Sequence, residues 1–262
     1  MARYCPLFSG SSGNSTYVGT ADGGVLIDAG VSAKRIKNAL ETREIDPSSL
    51  RAILVTHEHT DHISGLRVLL KQLKIPVIAT EGTLEALVHH NALPPDAVTI
   101  AAKETMTVGD LEVRVFHTPH DSAESCGFCV RFPDERTLAI ATDMGCVTDE
   151  ATEAITGCDL VHIESNHDVH MLECGPYPYS LKYRVLSNRG HLSNACCAAL
   201  LPSLMQRGST RFMLSHLSRE NNSPLLAYTE ARSALEADGG RLGSDFLLAV
   251  AEPESTAPLM MF

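Results

Sequence analysis

The feature that most constrains this chain is the stretch VTHEHTDHISGL at residues 55–66, which follows a short apolar run. It places His57, His59, Asp61 and His62 within six positions. In an extended segment alternate side chains point the same way, so the imidazoles of His57 and His59 can reach one ion. Helical spacing of apolar residues begins directly afterwards, so the chain turns there and can direct Asp61 and His62 at a second ion.

Neutral imidazole and carboxylate form a good ligand set for Zn²⁺ that also suits Mn²⁺ or Fe²⁺. The other interpretation is a solvent-facing polar loop in which histidines cluster by chance. That interpretation would hold for a lone histidine, whereas four candidate ligands directly after an apolar strand favour metal. Two divalent ions side by side would acidify a water molecule and stabilise charge on attacking and leaving oxygens. The stretch therefore predicts metal-dependent hydrolysis, with Zn or Mn preferred to Fe.

The remainder of the sequence is that of a globular protein of 262 residues, 44% hydrophobic and 20% charged. No stretch approaches the length of a membrane span, and the N-terminus lacks the apolar core of a signal peptide. The eight cysteines show no disulfide-like spacing, which suits a reducing cytoplasm. With no repeat or clear linker, we expect a single domain over residues 1–262, cytoplasmic and without a membrane partner. The oligomeric state stays open.

Short apolar runs alternate with amphipathic stretches along the chain, which predicts two β-sheets with helices on their outer faces. Among these elements are a strand at 51–55 and helices at 63–73 and 191–206. The one irregular region is residues 166–190, rich in Pro, Tyr and Gly. A loop of that length inside a compact domain is uncommon and usually functional, so we expect it to face the substrate.

The HEHTDH segment resembles the HxHxDH signature of the metallo-β-lactamase-fold hydrolases. Four further segments resemble the other motifs of that family and stand in the family's order. They are LIDAG at 26–30, HTPHDS at 117–122, TDMG at 142–145 and LSHLS at 214–218. Each of the four is weak alone, but five in order on one chain form a specific match that covers essentially the whole sequence.

The resemblance implies a fold of the α/β class, the four-layer αββα metallo-β-lactamase sandwich, with the site along the edge of its two sheets. It also implies two metal ions with seven ligands: His57, His59 and His120 on one ion, Asp61, His62 and His216 on the other, and Asp143 shared. Asp28 is implied as a residue that holds the histidine loop. In the third motif His117 is the rival of His120, and strand periodicity does not decide between them.

Two further segments resemble one branch of this fold, the tRNase Z-like phosphodiesterases. They are IESNHD at 163–168 and GHLS at 190–193. The resemblance implies that His191 donates a proton to the leaving oxygen and that Glu164 orients it. Alkoxide is a poor leaving group, so phosphodiester cleavage benefits from such an acid. We therefore expect Asp61, Glu164 and His191 to be catalytic; the alternatives are a helix-capping His191 and a structural salt bridge at Glu164.

A narrower resemblance concerns FSGSSGNST at residues 8–16, together with IESNHD, GHLSN and SHLSRENNSP. These segments are similar to the YycJ/WalJ (VicX) group. That resemblance implies a 5′→3′ DNA exonuclease, with a possible role in DNA repair. One alternative is a glyoxalase II-like thioester hydrolase or another small-molecule hydrolase. Another is a metal-binding regulatory module without catalysis.

The net charge of −11 taken alone argues against a nucleic-acid partner, but the charge is unevenly distributed. Residues 174–219 contain six Lys and Arg and no Asp or Glu. Cations for phosphates and aromatic faces for bases suit a nucleic-acid substrate, DNA in preference to RNA. The expected substrate contacts are Lys182, Arg184 and Arg189 beside Tyr177, Tyr179 and Tyr183, with Ser11 and Asn222. Solvated cations, core-packing tyrosines and a helix cap at Asn222 or Ser223 are the alternatives.

Overall fold

The computed structural model describes residues 1–262 and contains two seven-stranded β-sheets. The first sheet has the order β14-β1-β2-β3-β4-β5-β6. Its strands are β1 (Arg3–Phe8), β2 (Ser15–Thr20), β3 (Gly23–Ile27), β4 (Leu50–Leu54), β5 (Val77–Ala79), β6 (Thr99–Ala101) and β14 (Met260–Met261). From β14 to β3 the pairing is antiparallel, and from β3 to β6 it is parallel.

The second sheet repeats this arrangement in the order β13-β12-β11-β10-β9-β8-β7. Its strands are β7 (Thr105–Val108), β8 (Leu111–His117), β9 (Cys126–Arg131), β10 (Thr137–Ala141), β11 (Leu160–Glu164), β12 (Arg211–Ser215) and β13 (Leu247–Val250). The strands from β7 to β10 are antiparallel, and those from β10 to β13 are parallel. Each sheet therefore has a parallel half in which neighbouring strands end at the same edge.

The chain forms nine helices. They are α1 (Ala33–Glu41), α2 (Thr60–Ile63), α3 (Leu66–Leu73), α4 (Glu81–His89), α5 (Asp149–Ile155), α6 (Val169–Cys174), α7 (Tyr179–Leu186), α8 (Asn194–Gln206) and α9 (Pro224–Ala237), with a 3₁₀ turn at Pro47–Ser49. Of these, α1, α3, α4, α5, α8 and α9 pack against the outer faces of the sheets. None of the nine helices combines the length and the apolar character that crossing a bilayer requires.

The layers of the fold arise because successive side chains of a strand point to opposite faces of its sheet. On β3, Val25 and Ile27 face the second sheet and join a core between the sheets, where Phe128 and Ile140 also lie. Leu26 points the opposite way and packs in a second core beneath α1 and α3. A third core lies between the second sheet and helices α5, α8 and α9. This confirms the predicted αββα sandwich.

Two helix predictions differ from the structure. The helix expected at 63–73 begins at Leu66 as α3, because Ile63 ends the short helix α2 and Ser64 and Gly65 separate the two. A Cβ at Gly65 would lie 2.0 Å from the carbonyl oxygen of Val31, so this backbone packs against the loop after β3. The helix expected at 191–206 begins at Asn194, because Ser193 caps it by accepting a hydrogen bond from the backbone N–H of Cys196.

The segment 166–190 is more regular than expected, since it contains α6 and α7 joined by a short turn. The side chain of Asp168 caps α6 and accepts a hydrogen bond from the backbone N–H of Met171 at 2.7 Å. Pro178 directly precedes α7. The expectation of an irregular loop was therefore wrong, because a capping Asp and a Pro before a helix were taken only as signs of a loop.

Candidate active site

The predicted site residues lie at one edge of the sandwich, where strands end. In the first sheet Asp28 follows β3, and the loop 55–66 follows β4. In the second sheet Asp143 follows β10, Glu164 ends β11 and His216 follows β12. Because β3 and β4 are parallel, as are β10, β11 and β12, their carboxyl ends meet at this edge.

Three of these residues adopt a left-handed backbone conformation. Asp28, Asp143 and His216 have φ angles of 61°, 58° and 55°. Such a conformation is uncommon outside glycine and costs on the order of 1–3 kcal/mol per residue. Each case turns the chain sharply at or near the end of a strand and leaves the side chain in the cluster. Three strained residues at one cluster indicate a functional site.

One group of candidate ligands comprises His57, His59 and His120, whose ligand atoms lie within 4.8 Å of one another. Nδ1 of His59 lies 3.3 Å from Nε2 of His120. His120 donates from Nδ1 to the carbonyl oxygen of Gly190 at 2.9 Å, which leaves its Nε2 lone pair facing the cluster. Burial lowers the pKa of His57, and the neighbouring imidazoles lower it further. His57 is therefore neutral, the form that binds metal.

A second group comprises Asp61, His62 and His216. Nε2 of His62 and Nε2 of His216 each lie 3.5 Å from Oδ2 of Asp61. Asp143 lies between the groups, with Oδ2 at 3.4 Å from Nε2 of His62 and Oδ1 at 3.8 Å from Nε2 of His120. The structure thus brings together all seven residues that the resemblance implied as ligands.

The donor set fits divalent cations. Nε2 of His57 and Oδ2 of Asp143 are buried and have no hydrogen-bond partner. Burial alone would lower the pKa of His62 and of His216, but Asp143 and neighbouring carboxylates outweigh it and raise both pKa values. The cluster therefore attracts positive charge, and its unpartnered nitrogen and oxygen atoms are ligands of the kind that bind zinc or manganese. The His and Asp cluster can bind a metal ion.

Asp28 holds the histidine loop. Its Oδ2 accepts a hydrogen bond from Nδ1 of His62 at 2.8 Å. The same carboxylate accepts hydrogen bonds from the backbone N–H and the hydroxyl of Thr56 at 2.8 and 2.9 Å. Because Nδ1 of His62 is engaged by a carboxylate, its Nε2 is directed at the cluster. His117, the alternative to His120, is exposed at the end of β8 and lies outside the cluster.

Glu164 and His191 form a hydrogen-bonded pair beside the cluster. Nδ1 of His191 donates to Oε1 of Glu164 at 2.8 Å, and Nδ1 of His216 donates to the same oxygen at 2.9 Å. The other oxygen of Glu164 accepts from the backbone N–H groups of Met144 and Leu192. Burial would raise the pKa of Glu164, but His191 and His216 hold it well below its usual range. The ionised carboxylate fixes the His191 ring, whose Nε2 makes no hydrogen bond to the protein.

Two of the three basic residues expected to contact substrate bind the loop that carries His120, and the third binds α6. Arg189 donates from Nε and Nη2 to the backbone oxygen of His120 at 3.1 and 2.9 Å. Arg184 forms an ion pair with Asp121. Lys182 donates to a backbone carbonyl on α6 at 2.7 Å. The structure therefore places Arg184 and Arg189 beside the loop that carries His120 and ties Lys182 to α6, and the contact of all three with a substrate stays a prediction.

Ser11 and Asn222, the two other residues expected to contact substrate, differ in their exposure to solvent. Ser11 is exposed on the loop between β1 and β2. Asn222 is buried, and its side-chain amide donates to the backbone oxygens of Ser165 and Asn166 at 2.9 and 3.0 Å. Asn222 was thus wrongly expected to contact substrate, because internal backbone groups engage its amide. Ser223, not Asn222, caps α9.

Two residues at the cluster were not predicted individually. The side-chain nitrogen of Asn14 lies 3.0 Å from Nε2 of His62 and 3.4 Å from Oδ2 of Asp61. Oδ1 of Asp121 lies 3.4 Å from Nε2 of His120. Asn14 lies within the segment 8–16, and Asp121 follows His120 directly in the third motif. Membership of these motif segments was the sequence signal that could have indicated both residues.

Comparison with known proteins agrees with this geometry. The exodeoxyribonuclease YycJ of Bacillus anthracis is 38% identical over 254 residues, covering 96% of each chain. The exodeoxyribonuclease WalJ of Streptococcus pneumoniae serotype 2 (strain D39) is 36% identical over 264 residues, covering 98% of this chain and 97% of the relative. A hydroxyacylglutathione hydrolase of Rhodopseudomonas palustris is less similar, 28% identical over 152 residues and 56% of each chain.

Among solved structures, the metallo-beta-lactamase fold protein YhfI from Bacillus subtilis matches with a TM-score of 0.72. The match covers 96% of both chains at 15% identity, so it bears on the fold alone. The sequence model described as a beta-lactamase superfamily domain matches residues 24–217, from the start of β3 to just beyond His216. The chain therefore belongs to the beta-lactamase superfamily, with a metallo-β-lactamase fold, and within it to the family of the YycJ and WalJ exodeoxyribonucleases.

Proposed function

We propose that this chain is a metal-dependent phosphodiesterase, and specifically a 5′→3′ DNA exonuclease. The observation that carries the proposal is the Glu164–His191 pair, which lies directly beside a cluster of seven candidate ligands. A hydrolase that releases a thiolate has little need of a proton donor, whereas one that releases an alkoxide gains from it. The two exodeoxyribonucleases that match nearly the full chain support the same conclusion.

In this proposal two divalent cations, Zn²⁺ or Mn²⁺, occupy the cluster. The residues that would hold them are His57, His59 and His120 on one side, Asp61, His62 and His216 on the other, and Asp143 between. Bound there, such ions would activate water and neutralise the oxygens of a phosphodiester. Their number and identity are part of the proposal, because nitrogen and oxygen ligands suit several divalent metals.

The chain's own residues supply the remaining chemistry. His191 donates a proton from Nε2 to the departing oxygen, while its Nδ1–H remains bonded to Glu164. The side chain of His191 is 17% exposed, which lets Nε2 meet a substrate, whereas Glu164 is fully buried. Glu164 also contacts His216 and the backbone beside Asp143, so one carboxylate sets the position of the acid relative to the cluster.

The test compares substrates at equal protein concentration. Purified protein loaded with Mn²⁺ or Zn²⁺ is incubated with end-labelled single- and double-stranded DNA, with RNA, and with S-lactoylglutathione as the thioester. We expect stepwise shortening of DNA from the 5′ end and little thioester hydrolysis. Hydrolysis of the thioester without cleavage of any nucleic acid would establish the glyoxalase II-like alternative instead.

We further propose that the chain forms a single domain and works in the cytoplasm. We treat residues 1–262 as one domain with a substrate-facing segment at 166–190, which carries α6 and α7 beside His191. A cytoplasmic location is supported by the eight cysteines, all of which are free thiols.

A further inference from the structure

Helix α7 presents its apolar side chains to solvent. Tyr179, Tyr183 and Leu186 are spaced four and three residues apart and therefore share one face of the helix. Their exposed fractions are 84%, 71% and 43%, whereas Val185 is the one buried residue of this helix. The apolar stripe of a surface helix ordinarily faces the core. This stripe faces outward, so core packing does not account for its tyrosines.

The position of α7 is set by contacts to the candidate active site. Arg184, one residue after Tyr183, forms an ion pair with Asp121 in the loop that carries His120. The backbone N–H of His191 donates to the carbonyl oxygen of Val185 at 3.0 Å. The helix is therefore joined to the expected general acid at one end and to the ligand loop on one side. The exposed tyrosines therefore belong to a helix that is held next to the catalytic cluster.

The charge near Tyr179, Tyr183 and Leu186 indicates what kind of partner this surface binds. Lys182, Arg184 and Arg189 lie near the tyrosines in sequence, and no Asp or Glu occurs between residues 174 and 219. Arg184 is paired with Asp121, whereas Lys182 and Arg189 bind backbone carbonyls and keep their charge unpaired. The rest of the chain carries enough acid to bring the net charge to −11. A surface that combines exposed aromatic rings with local positive charge complements nucleic acid, because cations meet phosphates and rings meet bases. The same positive charge would also attract the acidic remainder of a second copy, so self-association is one of the outcomes that the experiment below distinguishes.

The spacing of the two rings indicates the form of the nucleic acid. Residues four apart on a helix place their side chains about 6 Å from each other. Successive bases of a duplex rise by about 3.4 Å and are already stacked on their neighbours. The two rings therefore do not match consecutive bases within a duplex, but each can receive one base of a strand that has been drawn open.

We propose that Tyr179 and Tyr183 form a stacking platform for unpaired bases of the strand that enters the active site. This rests on the proposed nuclease function and specifies its substrate as a single-stranded or frayed end. On this platform the bases bind by their faces, so recognition is independent of sequence. Lys182 and Arg184 lie beside the backbone of the bound strand.

The experiment measures binding of a short fluorescent single strand and of an abasic strand with the same number of phosphates. Fluorescence anisotropy is recorded with metal-loaded protein carrying His191→Ala, which slows cleavage. In this background Tyr179→Ala and Tyr183→Ala should each weaken binding of the base-containing strand by roughly tenfold and leave the abasic strand unaffected. Tyr179→Phe and Tyr183→Phe should retain binding, because the ring remains. Val88→Ala, which alters a similarly exposed apolar residue on α4, is the matched control and should change neither affinity.

Loss of affinity for both strands equally, or no loss for either, would overturn the platform. So would a concentration-dependent dimer that the double alanine variant dissociates without any change in DNA binding, because the stripe would then be a protein interface. The two proposals fail separately. If the wild-type holoenzyme cleaves no nucleic acid, the proposed function is wrong. If it cleaves DNA and the double variant does so with an unchanged KM, only the platform is wrong.

Discussion

At the scale of single residues, the site depends on histidines in which one ring nitrogen is hydrogen-bonded to a carboxylate and the other faces the cluster. Glu164 binds Nδ1 of both His191 and His216, and Asp28 binds Nδ1 of His62. In each imidazole the bonded nitrogen sets the tautomer and directs the other nitrogen at the cluster. One carboxylate from each sheet therefore orients these histidines: Asp28 of the first sheet holds His62, and Glu164 of the second holds His191 and His216.

Replacing His191 by alanine tests its role as an acid. We expect kcat on DNA to fall by about 10²- to 10⁴-fold while the bound metal is retained. The loss should be smaller on an activated p-nitrophenyl phosphodiester, whose leaving group needs no proton. Turnover on both substrates and metal content by mass spectrometry give the measurement. An equal loss on both substrates, or a loss of metal, would show that His191 acts as a ligand or a structural residue.

Replacing Asp28 by asparagine tests the hydrogen bond that holds His62. Asparagine tolerates the left-handed backbone at this position, so the turn should persist. We expect metal affinity to fall by about 10- to 100-fold, measured by calorimetry, although no ligand has been removed. Asp22→Asn makes the same change at an exposed position of the neighbouring hairpin and should leave affinity unaltered. Unchanged affinity in the Asp28 variant would contradict the assigned role.

At the scale of elements, a buried polar pair joins the two sheets. The hydroxyl of Tyr4 on β1 donates to Nδ1 of His162 on β11 at 2.5 Å. Burial lowers the pKa of His162 to about 3, and the positive charge of His216 contributes. The imidazole is therefore neutral in the folded protein at neutral pH.

This pair predicts acid sensitivity. Between an ordinary histidine pKa of about 6.5 and the folded pKa of about 3, the unfolded chain binds a proton that the folded chain does not. Stability therefore rises with pH across this window, and it is lost as the pH falls from 6.5 toward 3. The double variant Tyr4→Phe/His162→Leu removes both partners. Between pH 7 and pH 5 it should lose about 2 kcal/mol less unfolding free energy than the wild type, measured by urea denaturation. Parallel losses in the two proteins would contradict this.

The elements also show what could be read from the sequence. The loop 55–66 was recognisable because its four candidate ligands are adjacent and follow an apolar strand. His120, Asp143 and His216 are far apart in the chain, so only the order of the family motifs indicated them. Helix α7 was missed because it is short, makes little core contact and lies among prolines and glycines. The outward direction of its tyrosines depends on tertiary packing, which spacing alone does not determine.

At the scale of the whole molecule, the candidate ligands come from both sheets. His57, His59, Asp61 and His62 follow a strand of the first sheet, and His120, Asp143 and His216 follow strands of the second. Metal held by both sets would link the two halves of the sandwich at this edge. Folding brings the buried carboxylates of Asp28, Asp143 and Glu164 close together, where they repel one another. Bound cations would offset that repulsion.

Chelation should therefore destabilise the entire domain. Ions that bind the folded chain more tightly than the unfolded chain raise its stability. We expect removal of metal to lower Tm by roughly 5–10 °C, measured by calorimetry, and readdition to restore it. In Asp143→Asn the same chelation should have a much smaller effect. A wild-type Tm that does not respond to chelation would contradict a link between the sheets.

The most direct test of the central claim is a titration of metal-free protein with Mn²⁺ while nucleotide release from 5′-labelled DNA is followed. We predict no release without metal, and activity that rises with metal occupancy up to two ions per chain. Asp143→Asn should not recover activity at the same occupancy. Cleavage by the metal-free protein, or an intact DNA substrate at full occupancy of the wild type, would contradict the claim that this cluster hydrolyses phosphodiesters.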